Sequence, residues 1–143
     1  MEELLELRQY IQLKQYDQAL RLIGEMEEMT LEDKIHKIDN CATFLLLHLI
    51  KQHAEKRTTR SWDLHIYTTI RQIQLINKKY NTSGTYFDAT ELKTVLKETY
   101  LLALKYAAIE AFEGRYEDDE LAQMVDQNLI IEQALNLITE PQN

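Results

Sequence analysis

Residues 48–67 read HLIKQHAEKRTTRSWDLHIY and hold three of the chain's four histidines, its single tryptophan, and the cations Lys51, Lys56, Arg57 and Arg60. Two kinds of chemistry are open to this set. Arg60 and His65 have the spacing Arg-x4-His. There the guanidinium would hold a phosphate and stabilise its developing charge, and the imidazole would move a 2′-hydroxyl proton. Alternatively, Lys51, Lys56, Arg57 and Arg60 would grip phosphate while Trp62 stacks on a base. A structural reading competes with both and is preferred. In it Trp62 anchors the core at a helix start, and Arg57 and Arg60 pair with Glu25, Glu27 or Glu28, because arginine favours bidentate carboxylates. An Arg and a His fall at this spacing often by chance, so catalysis by Arg60 and His65 is the alternative.

Metal chemistry finds less support. His48 and His53 lie about 140° apart around a helix, so they share no face. Neither H-x-x-x-H nor H-E-x-x-H is present, and Cys41 is the only cysteine. No metal site and no cofactor are expected. His48, set among leucines, is expected to be a satisfied interior histidine. The carboxylates form no general-acid pair, and EDDE at 117–120 is expected to be a solvated hinge. There is no glycine-rich phosphate loop and no Gly-x-Ser-x-Gly, which argues against nucleotide hydrolysis and hydrolase chemistry.

The elements that must position these residues are helices. With three glycines and one proline in 143 residues, there is little room for tight hairpins. A first helix is expected from Glu2 to Lys14, with Leu4, Leu7, Ile11 and Leu13 on one face. After a break at QYDQAL, Asp17 caps a second helix whose face is Leu20, Ile23, Met26 and Glu27. Its start resembles the helical hairpins of solenoid repeats, but no second copy follows at a fixed period. T-L-E-D at Thr30 has the form of a capping box and predicts a new, central helix over 31–56. Its apolar residues run all round (Phe44, Leu45, Leu46, Leu47, Leu49, Ile50), which predicts burial on every side.

Ser61 is the expected cap of the next helix, whose inner face is Trp62, Ile66, Ile70, Ile73 and Leu75/Ile76, ending at Tyr80. NTSGTYFD is the loop, with Gly84 free to take positive φ. Asp88 and Glu91 start a helix with Leu92, Leu96, Thr99, Ala103, Tyr106 and Ile109 inside and Gly114 as the stop. A last helix is expected over about 120–138, with Asn128 as a weak point.

Charge is segregated. Residues 1–33 carry nine acids against three bases, 34–79 three against nine, 80–109 three of each, and 110–143 nine against Arg115 alone. The overall charge of −8 repels nucleic acid and anionic lipid at long range, so nucleic acid is not the favoured partner. The acidic ends are expected to neutralise the basic middle. A lone cysteine suits a reducing cytosol. The N-terminus lacks the basic and apolar regions of a signal peptide, and CATFLLLHLI is too short to span a membrane. A cytoplasmic location is expected.

Three segments, LIGEMEEM at 22–29, LLLHLIKQHAEKRTTRSWDLHI at 45–66 and YLLALKYAAIEAFEG at 100–114, together resemble a bacterial, largely cyanobacterial family known as domain-of-unknown-function family twenty-nine. The matching positions include Leu22, Ile23, Glu25, Glu27, Leu45, Leu46, His48, Leu49, Lys51, Arg57, Arg60, Ser61, Trp62, Ile66, Glu113 and Gly114. The resemblance covers about residues 16–130 and implies an all-helical fold without an established activity. The chain departs from the family pattern at Gln52, where the family has tryptophan, and at His65, where it has threonine. It also lacks the family's proline after the His-Leu-Leu-Lys motif and its N-terminal aromatic cluster. Separately, Arg-x4-His occurs in the higher-eukaryote and prokaryote nucleotide-binding class of helical ribonucleases, which work as dimers.

The sequence therefore predicts one all-α domain over 1–143, an up-and-down bundle of five or six helices around a buried central helix. Residues 115–143, an acidic hinge and a C-terminal helix, are expected to be a partner-binding extension. The function expected is that of a non-catalytic helical interaction module of a bacterial cytoplasmic protein, a homodimer or bound to another protein. The alternative is a nucleic-acid-linked role, as an Arg-x4-His ribonuclease or a toxin–antitoxin component.

Overall fold

Local capping chemistry sets most of the helix boundaries. The computed structural model of the protein describes residues 2–79 and 82–140, and among these there are six α-helices and no strand. They are α1 (Glu2–Gln12), α2 (Tyr16–Glu55), α3 (Arg60–Asn77), α4 (Ala89–Glu110), α5 (Asp118–Ala122) and α6 (Gln127–Thr139). The fold is all-α, as the scarcity of glycine and proline implies. The chain divides into two compact units, residues 1–36 and 37–143.

The first unit holds α1 and the start of α2. α1 ends in a Schellman turn: Lys14 takes a left-handed φ of 60°, its N–H bonds to Ile11 O, and Gln15 N–H bonds to Tyr10 O. No residue of α1 is buried, so the expected face of Leu4, Leu7, Ile11 and Leu13 has no core beneath it. In the start of α2 the buried residues are Ala19 and Leu22, while Leu20 is exposed.

α2 does not restart at Thr30, which corrects the expected capping box. The helix runs unbroken, and the Thr30 hydroxyl donates back to Met26 O at 2.8 Å. Threonine in T-x-x-D has two uses for its oxygen, and inside a helix the bond to residue i−4 wins.

The second unit carries the core. Ile38, Ala42, Leu45, Leu46, Leu49 and Ile50 of α2 are buried, with Ile70 and Ile73 of α3 and Leu92, Val95, Leu96, Ala103, Leu104 and Ala107 of α4. Burial is not all round, as the sequence implied, because Phe44 is 57% exposed. On α4 the inward face is rotated from the expected one, leaving Tyr106 and Ile109 exposed and Tyr100 and Leu104 buried.

The α3 cap is Thr59, not Ser61. Its side chain accepts from Trp62 N–H at 3.1 Å. On α3 Leu75 is exposed, and the expected end at Tyr80 lies outside the described residues. Gly84 does not take positive φ. Instead, the loop is held by Asn77, which accepts from Phe87 N–H and donates to Phe87 O. Asp88 and Glu91 form the expected capping box. α4 ends in three consecutive left-handed residues, Phe112, Glu113 and Gly114.

The last helix is two. EDDE is not a free hinge: Glu117 and Glu120 cap α5 reciprocally. Asp126, not Asn128, marks the break and caps α6 through Leu129 N–H. α6 packs on α4 and α3, with Ile130, Ile131, Ala134 and Ile138 buried and Leu129 exposed. No helix among the described residues is long and apolar enough to cross a membrane.

Candidate functional site

The residues singled out in the sequence meet along the seam between α2 and α3. Cys41 Sγ lies 3.8 Å from Gln72 Oε1, and His48 Nε2 lies 3.2 Å from His65 Nδ1. Equal and opposite steps along the two helices link these pairs, so the helices run antiparallel in fixed register. The same register brings Lys51 Nζ over the Trp62 ring, 4.6 Å from its centroid. Nearer the connector, Asp63 accepts from Gln52 and from Thr58.

Lys51 is buried, and its ammonium is neutralised by Glu110 of α4 at 2.9 Å. Arg57 stands 4.8 Å from the Trp62 centroid and donates from Nε to Glu55 at 3.0 Å. Trp62 is therefore half-buried under two cations rather than sealed in the core. The carboxylate partner of Arg57 is the neighbouring Glu55, in place of the expected Glu25, Glu27 or Glu28, while Lys51 takes its partner, Glu110, from α4. Glu55 also accepts from Phe112 N–H at 3.3 Å, tying the α2 terminus to the left-handed turn after α4. Lys56, with φ of 55°, and Arg60 are exposed. Of the five proposed binding residues, Lys51, Arg57 and Trp62 form one cluster.

Arg60 opens α3 and His65 lies five residues on, about 140° around the same helix. His65 is committed to His48. That buried ring has its Nδ1 at 2.8 Å from Phe44 O, which can only accept, so the proton is on Nδ1 and Nε2 offers its lone pair to His65. Burial holds His48 below the ordinary imidazole pKa; the Lys51 and His65 charges act the same way, against the Phe44 carbonyl and Glu110. His53 donates from Nε2 to Gln133 Oε1 at 2.7 Å. The reading of His48 as a satisfied interior histidine fits these contacts; its pairing with His65 needs the interhelical register, which no local motif encodes.

Two cavities flank the exposed Phe44. One, of about 320 Å³, is lined by Cys41, Phe44, His65, Thr69 and Gln72. The other, of about 520 Å³, lies between α2 and α4 against Phe44, Leu47, Leu102 and Tyr106. Among the described residues no group of three or more His, Cys, Asp or Glu is placed to hold a metal ion.

No family model, no curated protein and no solved structure matches the chain. The resemblance to domain-of-unknown-function family twenty-nine accordingly rests on the residues quoted above.

Proposed function

We propose that this chain is a non-catalytic helical interaction module of a bacterial cytoplasmic protein, and that it assembles as a homodimer through its first unit. One observation carries the reading: α1 buries no residue at all. Leu5, Leu13, Tyr16, Leu20 and Met29 are each more than half exposed. An isolated helix of eleven residues is marginal in water without an apolar face to pack on. Uncovered apolar side chains in such number mark an interaction surface.

Charge favours a second copy as the partner. Residues 1–33 are strongly acidic and residues 34–79 equally basic. The acidic hairpin of one copy complements the basic segment of another, and two such contacts close under two-fold symmetry. Light scattering on the eluting protein tests this. The expected mass is twice the 17.0 kDa of one chain, and Leu5→Glu with Leu20→Glu returns it to one. A wild-type protein that stays monomeric at low and at physiological salt defeats the proposal.

A further inference from the structure

We infer that His48 and His65 form a two-histidine chelate for a divalent transition ion of the zinc class, clamping α2 to α3. The geometry is specific. His48 Nε2 and His65 Nδ1 stand 3.2 Å apart. An ion at the usual metal–imidazole distance from both nitrogens would subtend an angle of about 103° between them, close to tetrahedral. For the ion to sit there, each lone pair must point about 39° off the line joining the two nitrogens, an orientation reached by turning the rings.

The supporting contacts are those of a metal ligand. His48 Nδ1–H is held by the Phe44 carbonyl at 2.8 Å, the outer hydrogen bond that fixes tautomer and orientation in histidine ligands. The Phe44 ring lies nearly parallel to the imidazole, 6.4 Å away. His65 must hand the proton on Nδ1 to its Nε2. That exchange moves the proton within the ring and releases none. Nearby Lys51 is offset by Glu110.

Two protein ligands leave coordination positions open. His65 lines the 320 Å³ cavity beside Thr68, Thr69 and Gln72, where water or an outside ligand can complete the shell. Cys41 is two helical turns from His48 and engaged with Gln72, so it is not a ligand. Copper prefers a tetragonal arrangement and hard ions prefer oxygen, so zinc and its spectroscopic substitute cobalt fit the pair best.

The test uses the full chain with zinc or cobalt as the probe. Zinc is expected to raise Tm in proportion to the logarithm of its free concentration, and cobalt to give the visible absorption of a tetrahedral site. Both responses should disappear in His65→Ala. They should disappear equally in His65→Gln, whose amide still donates to His48 and keeps the helices docked. His36→Ala and His53→Ala should respond as wild type does. A wild type unmoved by zinc up to about 1 mM, or responses that survive both His65 substitutions, overturns the proposal.

Discussion

Lys51 near the end of α2 and Glu110 at the end of α4 form a 2.9 Å ion pair in which the lysine side chain is 7% exposed and the glutamate 46%. The asymmetry sets what each loss should cost. Removing Glu110 leaves a buried ammonium without its anion, while removing Lys51 leaves a carboxylate that water can reach. We expect Glu110→Ala to destabilise the protein by about 1–2 kcal/mol, less than for a fully buried pair because the glutamate is half in water. Lys51→Met, which keeps the stem packed beside Trp62, should cost less. Urea midpoints compared at constant m read both.

His48 sets a pH dependence with a definite sign. Its pKa in the folded protein lies below 6.5, chiefly through burial. The unfolded chain therefore binds the proton more readily than the folded one. The neutral ring's contribution is complete above the unfolded value and falls as pH drops through about 6.5 toward the folded value, with a slope of at most about 1.4 kcal/mol per pH unit. Stability measured from pH 7.5 down to 5.5 should decline, and His48→Gln should flatten that decline whatever it does to the level.

Thr59 and Ser61 separate the helix start the sequence suggests from the one the chain adopts. Thr59 accepts from Trp62 N–H, so Thr59→Ala should cost about 1 kcal/mol, roughly 3 °C in Tm. Ser61→Ala, inside the first turn, should be close to neutral or slightly stabilising. Thermal melts of the two single variants decide it.

Gly114 and Gly84 make a matched contrast. At Gly114 φ is +77°, and an added Cβ would sit 3.0 Å from Ile109 O. Gly114→Ala should cost about 1–2 kcal/mol. Gly84 has ordinary φ and its nearest atoms lie at 3.7 and 3.8 Å, so Gly84→Ala should be neutral or slightly stabilising. Equilibrium unfolding of both variants in one buffer reads the difference.

These contrasts show where sequence reading succeeds. The Asp88/Glu91 capping box was legible because both partners lie within one turn. The same pattern at Thr30 failed because its threonine has a helical use for its hydroxyl, and nothing local chooses between the two. The α4 face was misread at Tyr106 and Ile109 because alanines 107 and 108 carry the inward stripe there with little hydrophobic bulk to announce it. Of the five residues grouped from the sequence, Lys51, Arg57 and Trp62 meet, while Lys56 and Arg60 stand exposed. The partners were not legible, because Glu110 and the pairing of His65 with His48 depend on how helices distant in sequence align.

Trp62, the chain's single indole, lies beneath the ammonium of Lys51 and beside the guanidinium of Arg57. Its fluorescence is consequently a one-point optical gauge of the place where α2 hands over to α3. Each cation is matched by a carboxylate, Lys51 by Glu110 and Arg57 by Glu55, so neutral acrylamide is the quencher suited to reporting access to the ring. Opening of that corner can thus be followed without attaching any dye.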